Sequence, residues 1–128
     1  MARRKSIYLS GFKHKNPVPN ACVIDGLLMS GVILGVDPVT GEMPVSIEEQ
    51  CANMFTYVRQ IVEAAGGTLS DVIKVNIWLR DVTQRKPVND VWLQLFPDHD
   101  DRPARHALPL IAEGPSLVQC DVTAVLPR

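Results

Sequence analysis

The chain has 128 residues, 46% of them hydrophobic and 21% charged, with a formal net charge of −1. Those totals predict one globular domain over residues 1–128, long enough to bury a core. They argue against nucleic acid or a membrane surface as partner, since phosphate binding needs clustered Lys and Arg and only the short Arg3-Arg4-Lys5 start is basic.

Ile7 to Leu9 reads as a short first strand, followed by a loop from Gly11 to Asn20 with Pro17 and Pro19. His14 sits in that loop, either simply solvated or delivered to a neighbouring pocket. Ala21 to Ile24, Asp25-Gly26, then Leu27 to Gly35 predicts a β-hairpin, because Asp-Gly supplies the positive-φ pair of a tight turn. Ser30-Gly31 interrupts the second strand, either as a twist point or where another group approaches closely. Asp37 to Gly41 is a turn. Ser46 to Ala65 is the clearest helix. Ser46 and Glu49 predict a capping box, and Ile47, Cys51, Met54, Phe55, Val58, Ile61, Val62 and Ala65 form one apolar stripe that ends at Gly66-Gly67.

Val72 to Leu79 is a strand, with Ile73, Val75, Ile77 and Leu79 expected on the face that receives the helix. A second helix runs from about Pro87 to Phe96, with Val88, Val91, Trp92, Leu95 and Phe96 as its stripe. In the next strand Ala104, His106, Leu108 and Leu110 alternate with Arg105 and Ala107. The parity puts His106 on the helix side as a core histidine and Arg105 on the other. In the last strand, Leu117 to Val125, the face formed by Val118, Cys120, Val122 and Ala124 opposes Gln119, Asp121 and Thr123. The order strand–helix–strand–helix–strand puts both helices on one side of the sheet. The other side is too apolar for water and too polar for a core. It is expected to pack against copies of itself, leaving clefts at the seams.

Three scattered cysteines, Cys22, Cys51 and Cys120, lack metal-ligand spacing; Cys51 and Cys120 fall on apolar faces. Reduced thiols, and hence a cytoplasmic location, are expected. No apolar run reaches membrane-span length, and no secretory signal is expected.

Arg105 is the residue on which a function turns. An arginine on the inner part of a strand needs an anion, and its planar fork suits a carboxylate. That anion is either an internal Asp or Glu, or the acid group of a ligand. Asp121 is correspondingly either a salt-bridge partner of Arg105 or a group that holds a water and takes its proton. Ser30, Gly31 and Ala107 are candidates to complete the contacts, and Trp92 is either core or a rim residue. No Gly-rich phosphate loop or nucleophile elbow is present, and Ser30 has no His–Asp partners in sequence.

Several of these features, in this order, resemble the RidA/YjgF family, also labelled L-PSP endoribonuclease. They are Ser30-Gly31 after the Asp25-Gly26 hairpin, Asp37-Pro-x-Thr-Gly41, the helix Gln50 to Ala65 with Val62-Glu-Ala-Ala-Gly-Gly67, Asp71 to Asp81, Val88-Asn89, and Arg102-Pro-Ala-Arg105. The resemblance runs from about Pro17 to Val125. It implies an α+β, chorismate-mutase-like subunit, a mixed sheet with two helices on one face, and a homotrimeric barrel with clefts between subunits. It further implies a deaminase that turns enamine or imine acids into the 2-keto acid and ammonia without a cofactor. In that resemblance Arg105 binds the substrate carboxylate, Asp121 stands for a glutamate that positions water, and Gly31 offers a backbone contact. Three departures set this chain apart. Pro17 replaces a tyrosine, Ala107 replaces a cysteine, and the acid is one methylene shorter after a longer Ala112–Ser116 turn. They imply a wider pocket, with His14 and the Asn16–Asn20 loop rebuilding its rim. Two other readings stand beside the deaminase: a small-acid-binding trimer without turnover, and a ribonuclease, which the charge balance disfavours.

Overall fold

A computed structural model describes residues 3–128. The strands are β1 (Lys5–Ile7), β2 (Ala21–Ile24), β3 (Leu27–Ser30), β4 (Ile33–Leu34), β5 (Val72–Leu79), β6 (Ala104–Pro109) and β7 (Val118–Val125). Helix α1 (Ile47–Ala64) lies between β4 and β5, and α2 (Lys86–Leu95) between β5 and β6. The sheet order is β1-β2-β3-β7-β5-β6, with β4 also pairing to β7. Among the described residues only β5 and β6 are parallel, as a crossover through α2 requires; the other pairs are antiparallel. Asp25 and Gly26 take φ values of +49° and +80°, so the Asp-Gly hairpin forms as its residues demand.

Both helices cover one face of the sheet. The α1 stripe is buried from Ile47 to Val62, against Val118, Cys120, Val122 and Ala124 of β7 and Val75, Ile77 and Leu79 of β5. At the N-terminus of α1 the Ser46 hydroxyl accepts from the Glu49 N–H at 3.1 Å, the serine half of the capping box. Phe55 meets Trp92 of α2 edge-on at 6.4 Å, which locks the two helices together.

Two polar groups on α1 are buried as well. The Gln50 amide donates to the Pro44 and Pro115 carbonyls, and its oxygen accepts from the Leu117 N–H at 2.8 Å. The Tyr57 hydroxyl donates to the Val36 carbonyl at 2.8 Å. Each is satisfied, so burial carries no unpaired polar atom. Cys51 and Cys120 are free buried thiols. Burial pushes Cys51 up to about 12, and burial raises Cys120 well above the usual thiol range.

Several boundaries and faces differ from expectation. The first strand is Lys5–Ile7 rather than Ile7 to Leu9. The second hairpin strand divides into β3 and β4, separated by Gly31-Val32. Between Val72 and Lys74 a register shift against β7 turns Val72 inward and leaves Ile73 exposed, reversing the alternation there. The larger correction concerns β6. Its parallel register sets Arg105 opposite Val75 and Ala107 opposite Ile77, and directly paired residues share a face. Arg105 and Ala107 therefore lie on the helix side. His106, opposite Asn76, is exposed on the uncovered side and is not a core histidine. β6 is an edge strand with no fully buried residue, so hydrophobicity does not rank its two sides.

The other sheet face carries no helix. Leu27, Met29 and Val125 stand there 45%, 55% and 53% exposed, beside Trp78, Asn76, Asp121 and Thr123. Among the described residues no helix is long and apolar enough to cross a membrane.

The approach of β4 to α1 sets a sharp steric condition. A Cβ at Gly35 would stand 2.6 Å from the Gln50 Cα, against backbone that cannot rotate away. Gly35→Ala is expected to cost about 3 kcal/mol and to lower the urea midpoint accordingly. An unchanged midpoint would show that helix and strand are not in this contact.

Candidate functional site

Arg105 projects from the edge strand toward α2. One guanidinium nitrogen, Nη2, donates to the Asn89 side-chain oxygen at 2.7 Å. The guanidinium carbon lies 4.9 Å from the centre of the Trp92 ring, a cation–π distance. Asn89 and Trp92 are three residues apart on α2, so one face of that helix carries both contacts. The other terminal nitrogen, Nη1, is buried without a hydrogen-bond partner. Among the described residues no carboxylate pairs with Arg105. Burial, and then the nearby Arg85, pull the guanidinium below its ordinary pKa, although an arginine stays charged at neutral pH. Ala107 follows on the same face of β6 as a small, half-buried side chain. Trp92 is itself 8% exposed, packed against Phe96 at 4.8 Å, and belongs to the core while its ring supports Arg105.

Asp121 lies on the opposite face of the sheet. It pairs in register with Asn76, whose amide donates to the Asp121 carboxylate at 2.9 Å. The bond fixes the acid's orientation. Ser30 and Gly31 adjoin β7 at the end of β3, where Ser30 pairs with the buried Ala21 and so stands by register on the helix side rather than on the Asp121 face. Where β3 leaves β7, the Ser30 hydroxyl accepts the Val122 N–H at 2.9 Å and donates to the Gly31 carbonyl at 2.8 Å. The serine thus mends the ladder at the strand break. Gly31 donates its N–H to the Asn20 carbonyl at 2.9 Å and is itself exposed.

His14 lines a cavity of about 210 Å³ with Tyr8, Lys13, Pro17 and Val18, and its Nε2 is buried without a partner. Asn20 joins this loop to the Gly31 region. Its carbonyl takes the Gly31 N–H, its amide holds the Phe12 carbonyl at 2.8 Å, and its side-chain oxygen takes the Leu9 N–H at 2.8 Å. A larger cavity of about 450 Å³ opens between the start of β5 and the end of α2, bordered by Asp71, Ile73, Phe96, Asp98 and Arg102; it contains none of the sequence-predicted residues.

Within one chain the candidates form two groups, with His14 apart from both in its own cavity. Arg105, Ala107 and Trp92 come together on the helix face of the edge strand, and Ser30 and Gly31 come together beside the strand that bears Asp121. The Arg105 and Asp121 side chains are on opposite faces and do not meet. Sequence reasoning missed Asn89 as the support of Arg105, although it noted Val88-Asn89, and missed Asn76 as the partner of Asp121. It also missed Arg80, whose guanidinium donates to the carbonyls of Leu110, Ala112, Gly114 and Ser116 and so shapes the longer turn before β7. Nothing in the spacing of a single Arg or Asn marks such partners. Among the described residues no three His, Cys, Asp or Glu side chains cluster closely enough to hold a metal ion.

The family model described as endoribonuclease L-PSP matches residues 7–120. The chain belongs to the endoribonuclease L-PSP family, the RidA/YjgF group. Among its L-PSP relatives, a RutC family protein of Aquifex aeolicus is 31% identical over 121 residues, covering 87% of this chain and 94% of its own. The 2-iminobutanoate/2-iminopropanoate deaminase of Escherichia coli K12 is 30% identical over 120 residues, covering 85% of this chain and 93% of that protein. The RidA structure from the Antarctic bacterium Psychrobacter sp. PAMC 21119 superposes with a TM-score of 0.86 at 25% identity, covering 95% of this chain and 99% of that one. The α+β layout of two helices on a mixed sheet is the L-PSP fold.

Gly31 and Ser30 separate structure from function. An added Cβ at Gly31 meets nothing nearer than 3.8 Å, so Gly31→Ala should leave stability within about 0.5 kcal/mol of wild type. Ser30→Ala strips the Val122 N–H of its acceptor and should cost about 1–3 kcal/mol. Parallel urea titrations test the contrast, and equal losses would contradict it.

Proposed function

We propose that this L-PSP family member is a cofactor-independent deaminase. It would hydrolyse a reactive enamine or imine acid to the 2-keto (or oxo) acid and ammonia, as a homotrimer with its sites in the clefts between subunits. The observation that carries the reading is Arg105. Its guanidinium is oriented by Asn89 and Trp92, has no internal acid, and keeps one buried nitrogen unpaired. A ligand carboxylate satisfies that nitrogen with a charge-assisted bond. The deaminase name of the Escherichia coli relative agrees with this chemistry.

The opposite-face placement of Arg105 and Asp121 favours a shared site. One subunit supplies Arg105 with Ala107; its neighbour supplies Asp121 from its uncovered sheet face, with Ser30 and Gly31 from the adjoining end of β3. The exposed Leu27, Met29 and Val125 give that face a reason to be covered. In the reaction Arg105 holds the substrate carboxylate and Gly31 offers a backbone contact. Asp121, held by Asn76, takes a proton from water as the oxygen attacks the imine carbon. The carbinolamine collapses with the C–N bond breaking, and protons pass to nitrogen so that ammonia leaves. Ala107 and Pro17 leave room for a substrate side chain larger than a methyl group, and His14 lies on the loop that would border it.

A second reading, a small-acid-binding trimer without turnover, draws on the shorter Asp121 and its bond to Asn76, since a displacement of about an ångström can cost a large factor in rate.

The test couples an imine-generating amino-acid oxidase to the purified protein and follows release of ammonia. Arg105→Ala is expected to lower kcat/KM at least about 100-fold, the worth of a bidentate charged contact, with the oligomeric state unchanged in sedimentation. Asp121→Asn should lower kcat and retain binding of keto acids. Full acceleration by Arg105→Ala would refute the assignment. Keto-acid binding by wild type with no acceleration would favour the second reading.

A further inference from the structure

The α2 face that holds Arg105 carries a second arginine. Arg85 stands one helical turn before Asn89 and two before Trp92, and those are the two residues that touch Arg105. Arg85 is exposed; its Nε donates to the Val82 carbonyl at 3.1 Å, and its two remaining guanidinium nitrogens donate to nothing among the described residues. No acid answers it: Asp90 is taken by Lys86 at 2.8 Å, and Asp81 by the hydroxyl and N–H of Thr83. The charge of Arg85 reaches Arg105, since it is one of the two causes that depress that guanidinium. The N-terminus of α2 adds to this positive field. The helix is ten residues long, has no acidic residue in its first turn, and receives no side-chain cap. One further guanidinium without an acid partner and an uncapped helix end thus belong to the same helix that holds Arg105, whose Nη1 is buried and unpartnered.

We infer that the substrate of this site is a dianion: a dicarboxylic enamine or imine whose α-carboxylate lies on Arg105 and whose second carboxylate lies on Arg85. The inference rests on the proposed function for its first carboxylate and goes beyond it in naming the second. Arg85 precedes Asn89, the residue that holds Arg105, by one helical turn on the same face of α2, so the second cation borders the carboxylate clamp. A monocarboxylic imine would leave Arg85 unanswered and would forgo its attraction. Because Arg85 is exposed, its contribution falls as salt is added. Lys86, paired with Asp90, is not part of the clamp.

The experiment has two arms, each run on wild type and Arg85→Gln at low salt. In the first, calorimetry compares binding of 2-oxoglutarate and oxaloacetate with pyruvate and 2-oxobutanoate. In the second, oxidase-generated 2-iminoglutarate and 2-iminopropanoate are compared as substrates. Wild type is expected to prefer the dicarboxylic member about tenfold in both arms, the size of one charge-assisted bond. Arg85→Gln should collapse that ratio to near one, while Arg85→Lys keeps part of it. Equal affinity of wild type for mono- and dicarboxylic acids, or a ratio unmoved by Arg85→Gln, overturns the inference even if the monocarboxylic imine is cleared well. If no imine is cleared but the binding ratio and its loss are seen, the dianion preference stands and the deaminase reading falls.

Discussion

A positive charge partly sunk into the edge of a sheet has to be offset, and among the described residues no acid does so. Arg105 loses water on the side facing α2 and receives a neutral amide oxygen from Asn89 and the π face of Trp92 in return. A cation–π contact supplies about 1–2 kcal/mol in a partly desolvated setting, and a hydrogen bond to a charged group about 1.5–3 kcal/mol. Both orient the guanidinium, and neither cancels its charge. The buried Nη1 is left over. The rest of the design serves this one group. The crossover through α2 brings Asn89 and Trp92 beside the edge strand, and the Phe55–Trp92 contact ties that helix to the body of the fold.

The second constraint is the sheet itself. β5 and β7 have one face under helices and one without, so any residue on β7 with a polar side chain belongs to the uncovered face. Asp121 is there, bound to Asn76, among Leu27, Met29, Trp78 and Val125. A site that needs both a carboxylate clamp and a water-positioning acid therefore draws them from two layers. In the proposed assembly each copy offers a different half-site at each of its two seams, and a closed ring satisfies every half-site once. Specificity then follows from what borders the clamp: the small Ala107, the Pro17 loop with His14, and the Arg85 charge at the start of α2.

Much of the fold was legible because periodicity and turn chemistry carry it. The α1 stripe, the Asp25-Gly26 turn and the inward face of β7 were read from spacing alone, since a fully buried face leaves a clean alternation. Arg105 stood out as an arginine inside a strand pattern and Asp121 as an acid opposite an apolar strand face, and the family resemblance then attached roles to them. The faces of β6 were not legible. This edge strand has no fully buried face, so in sequence Ala104, His106 and Leu108 look as inward as Arg105 and Ala107, and only the parallel register with β5 settles which is which. The reversal at Ile73 has the same origin: a register shift changes parity without changing composition. Asn89 and Asn76 act through one side-chain bond each and Arg80 through several bonds to one turn, all with partners 16 to 45 residues away in sequence, and such pairings have no local signature.

The account stands on Arg105 and Asp121 working together from different copies of the chain, and subunit mixing measures that directly. Arg105→Ala and Asp121→Asn are each inactive in this account, yet each retains the half-site the other lacks. Dissociated together in mild urea and reassembled, they form rings in which about one site in four pairs an intact arginine with an intact aspartate. Deaminase activity near a quarter of wild type in the mixture, absent when either variant is reassembled alone, is the predicted result. A mixture that has exchanged subunits and remains as inactive as its components would contradict it.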